Sequence, residues 1–250
     1  MKKIYFFICF FYNRLFTHLE NLFLFNEKKI LEQSNILSIG YELLDFNQKY
    51  LIKKKEKEIK LNNYMIKHIL KKDDIYESLF LFFNKYNFKK IITEKTGYEY
   101  SVDYIIHYTT FRVPVSESHK DLYANKWHND KPFSKNTLKI IIPMNETENY
   151  NGGIEILNFK QTKLYKNGNF DNNENYFTMN NRLNKILLFL PNRCLHKAGN
   201  PKIDEGRSQI MIQLNPAERW CINKNLYQKQ YKIEPKFPYF SYLFDGKIYL

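Results

Sequence analysis

The run LKIIIPM at residues 138–144 decides the fold, because apart from Lys139 it is apolar, rich in β-branched isoleucine and short. Those features describe a strand. Runs of the same character lie on either side of it, at 98–115, 153–159, 176–179, 185–190 and 209–214. Turn signals separate them at Asn151-Gly152-Gly153, Asn167-Gly168-Asn169 and Pro191-Asn192. Short strands at such regular spacing predict a sandwich, barrel or jelly roll.

Before residue 95 the signals are helical. Asp74 followed by Glu77 reads as a capping box, opening a run whose Ile75, Leu79, Phe82, Phe83 and Tyr86 share one face. A second helix is expected over 62–71, burying Tyr64, Ile66 and Ile69 or Leu70. A third is expected at the N-terminus. There Lys2 and Lys3 precede an apolar run, residues 4–12, that imitates a signal peptide, but Asn13 and Arg14 interrupt it and no small-residue cleavage site follows. The run is also too short to span a bilayer, so an internal helix and no membrane span are expected. The length of 250 residues, with 44% hydrophobic and 17% aromatic content, suits one domain. We expect a mostly helical layer over 1–95, a β core over 96–216, and a tail over 217–250 packing on that core. This is an α+β class.

The formal charge is +13, from 39 Lys and Arg against 26 Asp and Glu, which allows an anionic partner. The lysines are interspersed with acids, as in Lys53, Lys54, Lys55, Glu56, Lys57 and Glu58, and this suits a solvated helix or loop face. No nucleic-acid motif accompanies them, and no nucleic-acid partner is expected. Cys9, Cys194 and Cys221 form neither a C-x-x-C pair nor a disulfide framework, so a reducing, cytoplasmic location is expected. The sequon Asn145-Glu146-Thr147 is then a chance match.

The chemistry is concentrated in Trp127-His128-Asn129-Asp130. On an extended segment His128 and Asp130, two residues apart, turn to the same side and can share one metal ion. His196 follows the apolar run 185–190 and a turn, a place from which a strand end presents a ligand. Two histidines and one carboxylate make a facial triad with open positions, the preference of non-haem iron(II). Arg207, eleven residues beyond His196, can grip a carboxylate with two parallel hydrogen bonds. Of the other histidines, His18, His68, His107 and His119 read as structural or solvent-facing, Cys194 as a small buried hydrophobe, and Trp127 as packing.

Together W-H-N-D at 127–130, L-K-I-I-I-P at 138–143, N-G-G at 151–153, and L-H-K-A-G-N-P through G-R-S-Q at 195–209 resemble the phytanoyl-CoA dioxygenase-like family of iron(II)- and 2-oxoglutarate-dependent oxygenases. The resemblance covers about residues 98–216. It implies a double-stranded β-helix (jelly roll) buttressed by the N-terminal helices, with His128, Asp130 and His196 as iron ligands and catalytic centre. Arg207 would be the partner of the distal 2-oxoglutarate carboxylate. It further implies hydroxylation of a small-molecule substrate, with O2 consumed and succinate and CO2 released. Asp130 favours hydroxylation over halogenation, since related halogenases carry a small residue there. Gln209 stands where the family often has a hydroxyl helper for the arginine, and Ser208 comes one step early. Asp130 and His196 are 66 residues apart, a compact spacing, so walls over the site are expected from 111–126, 167–175 and the aromatic tail.

Two other functions fit parts of the pattern. A cupin-like metal-dependent isomerase or epimerase would use the triad without Arg207, and a non-catalytic binding module on the same fold would use neither.

Overall fold

In the computed structural model, residues 2–30, 34–46, 55–130, 134–146, 152–171, 175–202, 206–231 and 245–250 are described, with the backbone alone for 2–10. Helix α1 (Lys2–Phe23) leads through a short α2 (Asn35–Ser38), capped by the Ser34 hydroxyl, to strand β1 (Tyr41–Asp45). A hairpin of β2 (Lys55–Asn62) and β3 (Met65–Leu70) follows, then α3 (Lys72–Phe80), a π-helical turn at Leu81–Lys85 and α4 (Phe88–Thr96). The long β4 (Glu99–Thr110) and β5 (Leu138–Pro143) come next, then β6 (Ile154–Ile156), α5 (Phe159–Lys166), β7 (Phe177–Thr178), β8 (Lys185–Phe189) and β9 (His196–Ala198). The chain ends with β10 (Arg207–Ala217), β11 (Cys221–Asn223), α6 (Leu226–Lys229) and β12 (Lys247–Tyr249).

Nine strands form one large sheet in the order β1-β8-β5-β10-β4-β11-β12, with the β2–β3 hairpin joined to β4 beside β11. A smaller sheet, β7-β6-β9, faces it. This is the double-stranded β-helix expected from the sequence. One face of the large sheet buries Ile140, Ile142, Ile186, Leu188, Ile210, Ile212 and Leu214 under Ile75, Leu79, Phe82, Phe83, Phe88 and Ile92 of the helical layer. The other face, carrying Ile141, Leu187 and Phe189, packs against Ile154 and Ile156 of the small sheet and against Met179 just beyond β7. Alternation along each strand sends neighbouring residues to these two cores.

Strand β4 departs from that alternation at one point, and the departure builds the site. Leu214 of β10 pairs with Val102 but Gln213 pairs with Tyr104, so Asp103 is an extra residue in a bulge. Tyr100, Val102 and then Ile105 therefore all reach the helix-side core, while Tyr104, Ile106 and Tyr108 turn to the opposite face. Asp103 is buried but satisfied, accepting from Ser101 Oγ at 3.0 Å and Asn215 Nδ2 at 3.0 Å.

Four local expectations are corrected. Residues 65–70 are strand β3, not a helix, because Met65-Ile66-Lys67-His68 pairs with Thr110–His107 and buries both faces. Lys55 to Glu58, expected on a helix or loop, belong to β2; Lys53 and Lys54 lie outside the described residues. The capping box at Asp74 does not form: α3 starts earlier, and Asp73 and Asp74 sit in its first turn, where carboxylates favour the positive end of the helix dipole. The turn at 167–169 terminates α5, a helix with a real Asn158/Gln161 capping box, instead of joining two strands.

Helix α1 docks through Glu20, buried beside Ser134 Oγ and with Asn136 Nδ2 at 3.1 Å. Burial outweighs those hydrogen bonds and raises its carboxyl from 4.5 to about 7. The folded state thus prefers the protonated form, so this contribution is complete below pH 4.5 and is lost as pH rises to about 7. In thermal melts across that window, Glu20→Gln is expected to remove the decline. Its gain above pH 7 is on the order of 3 kcal/mol. A wild-type profile as flat as the variant's would contradict this.

Candidate functional site

His128, Asp130 and His196 converge between the two sheets. Their ligand atoms all lie within 4.8 Å of one another, the one such cluster of three or more His, Cys, Asp or Glu groups among the described residues. His128 is placed by an antiparallel bridge to His196, N–H to carbonyl in both directions at 3.1 and 3.0 Å. Asn129 fastens the motif from its other side, its Nδ2 donating to the carbonyls of Pro191 at 3.1 Å and Cys194 at 2.9 Å. The W-H-N-D segment is thereby stapled across the β8–β9 turn. Trp127 packs outward with Tyr165 and Tyr176, and Lys197 lies 4.7 Å from its ring.

Both imidazoles are held in the same tautomer. Nδ1 of His128 lies 2.7 Å from the Lys126 carbonyl and Nδ1 of His196 lies 3.2 Å from the Cys194 carbonyl. A carbonyl only accepts, so each Nδ1 carries the proton and each Nε2 presents a lone pair. Those Nε2 atoms stand 3.9 and 3.5 Å from Asp130 Oδ1. Metal bonds of about 2.1 Å put neighbouring ligands about 3 Å apart, so a small contraction seats an ion. Burial pushes the His196 pKa down against the pull of Asp130, which keeps the ring neutral as a ligand must be. Burial also opposes ionisation of Asp130, but the Lys139 ammonium overcomes it and holds the carboxyl far below the usual range.

Lys139 was not foreseen. Its Nζ is 2.5 Å from Asp130 Oδ2, so one carboxylate oxygen is occupied and the other faces the histidines. The signal was present in the sequence: a single lysine inside an apolar strand, which has to find a partner when buried. Phe189, beside Lys139 on β8, supports the His196 ring edge-on at 5.0 Å.

Arg207 is fully buried at the start of β10 and lines the same cleft, whose volume is about 770 Å³. One guanidinium nitrogen donates to the Gly152 carbonyl, while Nε and Nη2 have no hydrogen-bond partner among the described residues. The glycines of N-G-G make that carbonyl available. Gly152 has φ +68°, and a Cβ on Gly153 would stand 1.5 Å from the Met179 carbonyl oxygen, so no larger residue fits between the loop and β7. Asn151 lies outside the described residues.

Ser208 points to the opposite face, within 2.9 Å of His107 Nε2 and 3.2 Å of Thr109 Oγ1, so it does not assist Arg207. His68 lies against His107 there with ring centres 4.4 Å apart and ring planes tilted by 46°, and both belong to the helix side of the sheet. Gln209 does face the cleft, and its Nε2 donates to the Tyr108 hydroxyl. Cys194 is buried in the inter-sheet core, its thiol pushed up to about 12 by burial.

Of the expected walls, 111–126 contributes Asp121, Leu122, Tyr123 and Ala124. Asn200 of the L-H-K-A-G-N-P motif pins that loop by bonding both the N–H and the carbonyl of Val113, at 2.8 and 2.9 Å. Segment 172–174 and tail residues 232–244 lie outside the described residues. The wall the sequence did not reveal is the β2–β3 hairpin, which brings Met65 and the buried Lys67 to the cleft. Desolvation lowers the Lys67 ammonium to about 8.

Comparison with known protein families and with curated proteins gave no match. Among solved structures, the chain is similar to the non-haem α-ketoglutarate-dependent epimerase SnoN from nogalamycin biosynthesis. The TM-score is 0.50 at 13% identity, covering 73% of this chain and 80% of that one. Similarity is also found to HygX from Streptomyces hygroscopicus with nickel and 2-oxoglutarate bound (TM-score 0.47, 8% identity, 74% and 86% covered). EctD from S. alaskensis in its apo form is a third (TM-score 0.46, 10% identity, 81% and 80% covered). The likeness to SnoN bears on the fold, and the chain has a jelly-roll fold, one of the three that its strand spacing predicts and the one that the resemblance implies.

Proposed function

We propose that this chain is an iron(II)- and 2-oxoglutarate-dependent oxygenase, of the phytanoyl-CoA dioxygenase-like kind, that hydroxylates a small metabolite in the cytoplasm. On this reading the 250 residues act as one oxygenase domain. The observation that carries it is the pairing of a three-ligand His-Asp-His cluster with a buried arginine, two of whose nitrogens have no partner among the described residues, in one cleft. A buried guanidinium with spare donors is costly unless a ligand accepts from them.

In this scheme His128, Asp130 and His196 would hold iron(II), which, when bound, supplies open positions for 2-oxoglutarate and O2. Arg207 would take the distal carboxylate of 2-oxoglutarate. Lys139 fixes the Asp130 carboxylate so that a single oxygen is offered, and Tyr108 with Gln209 and Tyr123 closes the cleft around the co-substrate. Lys67 adds positive charge to the wall, which favours a substrate with an anionic group. The presence of Asp130 supports hydroxylation over halogenation. The likeness of fold to an epimerase leaves the product to be read directly, as a mass gain of one oxygen atom or none.

The metal-dependent isomerase alternative gives Arg207 no task, and the non-catalytic module gives none to the triad. Conversion of 2-oxoglutarate to succinate by the iron-loaded protein, without primary substrate, tests the proposal. Iron binding without that turnover favours the isomerase, and no iron binding favours the module. For Lys139, replacement by Met is expected to weaken iron(II) binding by about 10- to 100-fold, as loss of partners behind a ligand does, with Lys139→Arg close to wild type. Equal iron affinity in Lys139→Met would remove this role.

A further inference from the structure

Helix α1 is amphipathic the wrong way round for a soluble domain. Its polar side docks on the protein: Asn13 and Glu20 are buried, and Thr17 Oγ1 accepts from the Lys135 N–H at 3.0 Å. Beside them, Asn21 Oδ1 accepts from the Tyr98 hydroxyl at 2.5 Å and from Asn136 Nδ2 at 2.9 Å. The opposite side is apolar and open to solvent, with exposures of 58% for Phe11, 39% for Leu15, 38% for Leu19, 61% for Leu22 and 76% for Phe23. Spacings of four, four and three residues from Phe11 to Leu22 make this one stripe, about 16 Å long. Upstream in the sequence Ile4, Phe7 and Ile8 continue the same spacing. A surface helix of a globular domain normally turns such a stripe inward, and contiguous exposed apolar patches mark interaction sites.

Charge decides between the occupants. The helix has one acidic residue, Glu20, and it is buried in the docking contact. The open side therefore carries no carboxylate among its described residues. Arg14 and His18 are exposed along it, Lys2 and Lys3 precede it in sequence, and the chain as a whole is +13. A second copy placed stripe to stripe would bring like charges together. No helix among the described residues is long and apolar enough to cross a membrane, which leaves binding in the plane of the surface.

We propose that the outer face of α1 seats the protein on an anionic lipid surface, with Phe11, Leu15, Leu19, Leu22 and Phe23 at the headgroup–acyl boundary and Arg14 against lipid phosphate and carboxylate. Aromatic and leucine residues on one side with cations at its edge are what such a surface binds. The proposal is independent of the chemistry assigned to the cleft. A membrane-held oxygenase would meet substrates that partition into or lie on the bilayer.

The test is co-sedimentation of the full chain with phosphatidylcholine vesicles, with and without phosphatidylserine, alongside light scattering without vesicles. The wild type is expected to pellet with the phosphatidylserine vesicles, less so as salt rises. The double substitution Leu15→Gln, Leu22→Gln lies on open positions and is expected to lower partitioning about tenfold or more with an unchanged melting temperature. Arg14→Glu should weaken binding to the anionic vesicles alone. A wild type that stays in the supernatant with both vesicles overturns the proposal, as does a double variant that pellets like wild type. A dimer that the double substitution dissociates, with no vesicle binding, assigns the stripe to a second copy instead.

Discussion

Replacing Arg207 with Met is expected to raise the dissociation constant for 2-oxoglutarate by about 30-fold to several thousand-fold, and at the same time to stabilise the protein without ligand. The first effect follows from removing one partner of a buried charge pair, which costs about 2–5 kcal/mol of binding. The second follows from the state of the residue before ligand arrives. Arg207 is fully buried, burial pushes its pKa down with only partial compensation from Tyr108, Tyr123 and Glu155, and its Nε and Nη2 lack hydrogen-bond partners among the described residues. An apolar side chain of similar length removes that desolvation cost. Calorimetric titration with 2-oxoglutarate and a thermal melt of the apoprotein read the two effects separately. Unchanged 2-oxoglutarate affinity would take Arg207 out of the site. A lower apo melting temperature would mean that the Gly152 contact outweighs the unpaired donors.

Asp130→Ala is expected to lower iron(II) affinity by more than about 100-fold and to abolish succinate formation, since the loss of a ligand exceeds the 10- to 100-fold typical of residues behind one. This variant has a second consequence. Lys139, 12% exposed, would lose the carboxylate 2.5 Å away and remain as a nearly buried unpaired charge. Breaking such a pair costs about 3–5 kcal/mol, so the single variant should also be less stable. Pairing it with Lys139→Met separates the effects: the double variant should recover stability but not iron. A double variant that regains iron binding would show that Asp130 serves the fold through Lys139 and is not a ligand.

The residues of the cleft were legible in the sequence where chemistry needs a rare combination in order. His128, Asp130 and His196 do meet, and Arg207 does line the same cleft, because strand alternation and the turn at 191–195 leave few other placements. What the motifs contributed to the backbone was not legible. Asn129, Asn200 and Gly153 read as parts of a pattern, and their tasks as staples and as the site of a close backbone approach depend on segments distant in sequence.

The N-terminal third was the least legible. Residues 65–70 are apolar enough for either helix or strand, and pairing with β4 across some 40 positions of chain decided for strand. That same pairing brings Lys67 to the cleft, so the error in secondary structure and the missed wall have one cause. The bulge at Asp103 is a similar case. Period-two reading of 98–110 predicts one set of inward residues, and a single extra residue exchanges the faces halfway along. Helix α1 was recognised from its apolar run, but which side of it docks could be learned only from its contacts with Tyr98, Ser134 and Asn136.

The most direct test of the central claim is an anaerobic titration of the full chain with iron(II), followed by 2-oxoglutarate, monitored in the visible range. The expected result is one iron per chain and, on adding 2-oxoglutarate, a charge-transfer band from the chelate that is absent with iron alone and lost in Asp130→Ala. Iron binding with no band at any 2-oxoglutarate concentration, or a band that survives in Asp130→Ala and Arg207→Met alike, would contradict it.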